Sequence, residues 1–214
     1  MENQEEIIEE TNPEAQERQN EEQPELSPEE YRNLFIALRQ KYDRKIYNKG
    51  SIEAEKIMQE AYTEVCESAV MGDAISQSLL AYWFKHGNPA LPENIEYSMK
   101  WLILSGANQN KHSIDKLAML FTYVYDTIAY TEEFQNFAVE FDLTEQNYKY
   151  CLGPIICSEI VKSMNIDAYE LSQARLFELE FNSATMNRFS SAANKSVDVI
   201  MEGLRKANEK IAKS

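Results

Sequence analysis

Two histidines, His86 and His112, and three cysteines, Cys66, Cys151 and Cys157, are the side chains of this 214-residue sequence best suited to nucleophilic, acid–base or metal chemistry. Their spacing argues against each. The histidines stand 26 residues apart, and neither belongs to an H-x-x-x-H or H-E-x-x-H pattern, which would put two imidazoles on one helix face around zinc. Cys151 and Cys157 are six apart with Gly153-Pro154 between them, which is not the C-x-x-C spacing of a zinc site. An odd number of cysteines builds no disulfide framework, and buried thiols are the simplest reading of all three. No glycine-rich phosphate loop is present. The sequence therefore predicts no catalytic residue, no metal and no cofactor, and a protein that is not an enzyme. Carboxylates from distant segments meeting in a cleft are the remaining route to catalysis.

The elements that carry these residues repeat. With Gly72-Asp73-Ala74 set beside Gln109-Asn110-Lys111, Ser76 falls on Ser113, Leu80-Ala81 on Leu117-Ala118 and Phe84 on Phe121, each 37 residues apart. The same offset sets Ser98 on Ala61, Ser105 on Ser68 and Gln109 on Gly72. A fixed period of this size made of two helical patterns marks a stacked helical array. Only six Gly and six Pro interrupt the chain, and no Val/Ile/Thr-rich alternating run lies between tight turns, so the fold class reads as all-α.

Within that period, Gly72, Ala74, Gln77, Leu80-Ala81, Phe84, Gly87, Leu91-Pro92, Asn94, Ser98, Trp101 and Ser105-Gly106 together resemble one Sel-like repeat, a relative of the tetratricopeptide repeat. The resemblance covers about residues 52–125, one full unit and half a unit on each side. Ala81 stands where the family has a small Gly, Phe84 for Tyr and Asn94 for Asp, and one extra residue lies between Gly87 and Leu91. Each swap keeps size or polarity. The resemblance implies a short α-α superhelix whose concave wall is lined by the first helix of each hairpin. In the related tetratricopeptide family that wall holds an extended peptide or a partner helix. By helical spacing, the wall positions between the packing residues Leu80, Ala81 and Phe84 are Ile75, Ser78, Tyr82, Lys85 and His86. One period later they are His112, Asp115, Met119, Thr122 and Tyr123. Tyrosine and methionine are broad, adaptable groups suited to a peptide groove.

The remaining elements follow from local chemistry. Ser27-Pro28-Glu29-Glu30 predicts a capped helix start. Tyr31, Leu34, Phe35, Leu38, Tyr42 and Ile46 continue it as one apolar face, and Gly50 suits its end. Further helices are predicted over about 52–70, 73–86, 93–107 and 110–129. Ala81 is expected to be small where its partner helix comes close, and Trp101 to fill the gap between hairpins. After Thr131 the packing pattern fades. Helix starts are predicted at Thr131 and Thr144, a break at Gly153-Pro154, and a short helix over 155–164. Asp167 with Glu170 opens a long helical stretch to Ala212, with a break or bend expected at Asn182-Ser183 or Ser190-Ser191. Val197, Ile200, Met201, Leu204 and Ile211 form a stripe that either covers the last hairpin as a cap or makes a dimer contact.

Charge divides the chain. The net charge is −15, and residues 1–30 hold twelve Glu, no Asp and one Arg, Arg18. Residues 1–26 have little to bury and are predicted to be disordered and dispensable for folding. They read as a solubilising tail or as an acidic lure for a basic partner. An acidic chain is a poor fit for phosphate backbones, so nucleic acid is not an expected partner. The start MENQEEIIEE has neither a basic end nor an apolar run, and no stretch approaches the roughly 20 apolar residues that span a bilayer. The expected setting is the cytoplasm, away from membranes.

The sequence thus predicts a disordered tail over 1–26, a helical-repeat array over 27–130 and a helical extension over 131–214 that packs on or caps it. The expected function is a non-enzymatic adaptor that holds a protein or peptide on its concave face, with a small-molecule substrate disfavoured. The alternatives are an α-helical enzyme or small-molecule binder, and a secretion-type chaperone suggested by size and acidity.

Overall fold

The computed structural model describes residues 26–46, 51–88, 91–144, 147–173 and 183–213. The expected disorder of residues 1–26 and the helix end at Gly50 fall, Leu26 apart, outside them. Among the described residues there are helices and turns but no strand, with one isolated bridge between Asn88 and Leu91. In chain order the helices are α1 (Pro28–Ile46), α2 (Ser51–Val70), α3 (Ala74–His86), α4 (Ile95–Ala107), α5 (Lys111–Ala129), α6 (Glu132–Glu140), α7 (Tyr148–Met164), α8 (Ala168–Ser172) and α9 (Ser183–Ile211). None of these helices is long and apolar enough to cross a membrane.

Side chains set the helix starts. Ser27 Oγ accepts from the Glu30 N–H at 3.2 Å, while the Glu30 carboxylate accepts from the Ser27 N–H at 2.7 Å. This is the reciprocal box that S-P-E-E predicts. Asp73, Asn94, Asn110, Thr131 and Asp167 each take a first-turn N–H at the starts of α3, α4, α5, α6 and α8.

The 37-residue period reappears as one turn built twice. The Gly72 N–H bonds the Ala69 carbonyl at 3.1 Å and the Asp73 N–H bonds Ser68 at 3.1 Å. One period on, Gln109 bonds Gly106 at 3.0 Å and Asn110 bonds Ser105 at 3.1 Å. Gly72 and Gln109 both take the left-handed conformation, with φ of 95° and 63°. Glycine adopts it freely; glutamine pays with strain. Ser105 Oγ and Asn110 Nδ2 both donate to the Ala74 carbonyl, at 2.6 and 3.1 Å, and so stitch the two turns together. The register of helix starts outlasts the packing pattern. Asn94 and Thr131 are 37 apart, and so are Asn110 and Asn147, although Asn147 makes no side-chain cap bond.

In the tertiary structure α3 packs on α1, α2 and α4. From there α4 reaches α5 and α7, and α5 packs on α7, α9 and α1 but only lightly on α6. Leu80, Phe84, Trp101, Leu117 and Phe121 are buried in one continuous core. Ala81 is buried as well, with Ser98 Oγ donating to its carbonyl at 2.7 Å, so α4 does come close there.

One expectation is corrected. The predicted break at Gly153-Pro154 does not occur, because α7 runs through both residues. Pro154 forfeits one helix bond, but α7 is wedged among α4, α5 and α9. That burial outweighs the missing bond. Of the two places where a break or bend was expected in the stretch from Asp167 to Ala212, α9 passes through Ser190-Ser191 unbroken; α8 ends at Ser172 and α9 begins at Ser183, with Asn182 outside the described residues. The α9 side chains Val197, Ile200, Met201 and Leu204 pack into the core, and their helix lies against α5, α6 and α7. Covered by its own chain, most of that stripe is not available to a second copy.

Candidate binding pocket

Four helices line a half-open cavity of about 550 Å³. From α1 come Arg32, Phe35, Ile36 and Arg39, and from α3 come Ala81, Tyr82, Lys85 and His86. Ile95, Ser98, Met99 and Leu102 of α4 form the floor, and His112 and Lys116 of α5 close one side. The spacing within each helix explains the grouping: Arg32, Ile36 and Arg39, or His112 and Lys116, lie three or four residues apart and share a face.

Phe35 is the hub. Its ring lies 5.8 Å from Tyr82 and 5.4 Å from His112, and the Lys116 ammonium sits 4.5 Å over it. The Tyr82 ring in turn lies 4.5 Å from the tilted His86 ring and carries the Arg39 guanidinium at 4.4 Å. Two of the cations are thus held on aromatic faces, where the ring quadrupole attracts them. Arg39 is also paired with Asp43 at 3.1 Å. Among the described residues Arg32, Lys85 and Lys116 make no salt bridge. Among the described residues no carboxylate lines the cavity.

The charges register one another. Lys116 keeps contact with solvent, but the protein crowded around its ammonium and the Lys85 charge lower its pKa to about 8. Burial, and then Lys116, lower His112 to about 4, so its imidazole is neutral at neutral pH. This has a testable consequence. The unfolded chain binds a proton at His112 near pH 6.5 but the folded chain only near 4, so within that window unfolding takes up a proton. Stability contributed by the neutral ring is therefore lost as pH falls from about 6.5 to about 4. Urea denaturation at several pH values is expected to show a shallower acid loss for His112→Asn than for wild type. Equal slopes would place His112 outside the packed cluster.

The sequence-predicted wall residues divide. Tyr82, Lys85, His86 and His112 line the cavity. Asp115 lies beside it in an adjoining concavity, held by Lys149 at 2.7 Å and by the Tyr150 hydroxyl at 3.0 Å. Met119 and Tyr123 are 92% and 60% exposed, and do not line the cavity. Their spacing continues the face of His112 and Lys116 along α5. Thr122 is exposed, and its hydroxyl donates back to the Ala118 and Met119 carbonyls at 3.2 Å each. Ser78 is fully buried and offers nothing to a partner, because helices pack on several sides of α3. Ile75 is half-buried against the core. Arg32, Phe35, Arg39 and Lys116 were not foreseen. The visible signal was the i, i+4, i+7 spacing of Arg32, Ile36 and Arg39 on a helix expected to stay within the first hairpin.

Neither buried thiol is set up for chemistry. Burial pushes Cys66 up to about 11 and Cys157 higher still, so neither supplies a thiolate at neutral pH. Among the described residues no three His, Cys, Asp or Glu side chains stand together as a metal site. No family model matches the chain, and neither does any curated protein or solved structure.

Proposed function

We propose that this chain is a non-enzymatic interaction module that takes an anionic segment of a protein partner into the cavity between α1, α3, α4 and α5. The observation that carries this reading is a cavity lined by Arg32, Arg39, Lys85 and Lys116 and, among the described residues, by no carboxylate, in a chain of net charge −15. Of these cations Arg32, Lys85 and Lys116 have no carboxylate partner among the described residues, and such a group gathered against the chain's own charge is a site for an anion. The exposed row of Met119 and Tyr123 on the same face of α5 gives a peptide somewhere to continue, which favours a polymer over a small anion. The volume of about 550 Å³ is also that of a small-molecule pocket, so a small anionic ligand is the second reading. A short superhelical array of Sel-like type, working in the cytosol where thiols stay reduced, belongs to the same proposal.

Affinity capture on immobilised full-length chain tests it. A protein with an acidic segment is expected on the wild-type chain and absent from Lys85→Glu with Lys116→Glu. Tyr82→Ala with Tyr123→Ala is expected to weaken capture by about thirtyfold, the effect of losing an aromatic anchor of about 2 kcal/mol. Circular dichroism checks that both variants stay helical. Full retention by the charge-reversed variant would remove the binding site from this cavity. A thermal shift with citrate or inorganic phosphate, with no protein captured, would favour the small-anion reading.

A further inference from the structure

The anionic part of this chain precedes α1, one of the helices that line the cavity. Residues 1–25 hold ten Glu against a single Arg, Arg18, and lead directly into α1. A second concavity, lined by Pro28, Glu29, Arg32, Asn33, Ile36, His112 and Asp115, shares Arg32, Ile36 and His112 with the cationic cavity. The shared walls make one path from the first turn of α1 to the cations. It is not uniformly basic, since Glu29 and Asp115 line its outer part, but Asp115 is held by Lys149 at 2.7 Å. Pro28 and Arg32 are about one helical turn apart, a rise of roughly 6 Å. Two or three extended residues, at about 3.3 Å each, cover that distance. Reach is therefore no obstacle for the 25 residues that precede the described helices. A segment tethered this closely presents itself at an effective concentration on the order of millimolar.

We propose that residues 1–25 occupy the cationic cavity in cis, and that an anionic partner binds by displacing them. The idea rests on the cavity being an anion site, as proposed above, but not on the identity of any external partner. Charge complementarity selects the occupant: Arg32, Lys85 and Lys116 lack carboxylate partners among the described residues, and the segment that precedes α1 in sequence is the most acidic stretch of the chain. The arrangement makes the module self-masked. A partner with one or two acidic residues fails to displace the segment, whereas a long acidic stretch succeeds.

The test uses full-length chains and a labelled synthetic peptide of residues 1–25 as the probe, read by fluorescence anisotropy. In one variant all ten Glu of residues 1–25 are changed to Gln, so the cis segment remains but its charge does not. This variant is expected to bind the probe about tenfold tighter than wild type, as an effective concentration ten times the dissociation constant of the cis contact predicts. Adding Lys85→Glu with Lys116→Glu to it is expected to abolish binding. If that pair disturbs the fold, Arg32→Gln with Lys85→Gln, both at exposed residues, serves instead. Equal affinity for the wild-type and Gln-substituted chains, with loss on charge reversal, would overturn cis occupancy and leave the anion site standing. Probe binding that survives charge reversal, or no binding to any chain, would overturn both.

Discussion

Phe35→Ala is expected to destabilise the protein by about 3–5 kcal/mol, the range for deleting a buried phenylalanine. The side chain is 6% exposed and joins three helices at once: Tyr82 on α3 at 5.8 Å, and His112 and the Lys116 ammonium on α5 at 5.4 and 4.5 Å. Without the ring, two aromatic neighbours lose an edge and Lys116 loses the face that holds it. The cavity that remains lies between helices far apart in sequence, so local backbone relaxation cannot close it. Urea denaturation gives the size of the effect, and Phe35→Leu should recover more than half of it by refilling the volume. A loss below about 1 kcal/mol, the scale of a surface substitution, would mean that α1 is not seated on α3 and α5.

Gly106→Ala combined with Gly153→Ala is expected to cost about 2–6 kcal/mol, from overpacking of roughly 1–3 kcal/mol at each site. A Cβ on Gly153 would stand 2.6 Å from Ile114 Cγ2, and one on Gly106 would stand 2.6 Å from Cys157 Sγ. Neither neighbour has room to retreat, since Ile114 and Cys157 are completely buried. The helical φ of both glycines means that no gain in backbone fit accompanies the clash beyond the modest helix propensity of alanine, about 1 kcal/mol. A double-mutant cycle isolates the contact. With Ile114→Ala in the background, Gly153→Ala should become markedly less harmful, because the methyl it meets is gone. Independent, additive effects would show that α7 does not approach α5 through Gly153.

Most of the helical framework was legible because its signals are local. Ser27, Asp73, Asn94, Asn110, Thr131 and Asp167 act on N–H groups two or three residues away, so their presence in sequence nearly suffices to place a helix start. The repeated turn was legible for the same reason: its bonds span three to five residues. Pro154 misled because its cost is local while the compensation is not; nothing near it in sequence states that Gly153 nests against Ile114. Ser78 misled because periodicity ranks the faces of a helix by polarity but does not count its neighbours, and α3 has helices on several sides. The candidate pocket was half legible. Tyr82, Lys85, His86 and His112 followed from the period, but Arg32, Phe35 and Arg39 reach it only because α1 lies across α3 and α5, a placement set by long-range packing. Lys116 was readable as the i+4 neighbour of His112, yet its effect on that ring depends on burial.

The cations that line the cavity also divide the molecule's field into two ranges. At low salt an approaching molecule meets the whole chain at −15 and a polyanion is repelled, whereas at 0.1 M salt that field reaches only about a Debye length, roughly 10 Å. Only within that distance do Arg32, Lys85 and Lys116 outweigh the rest. Added salt then acts in opposite senses on the two ranges, hastening encounter while loosening the bound state. The combination sorts ligands by where their charge is placed. It favours a body that is basic or neutral overall, carrying its negative charge in one protruding run.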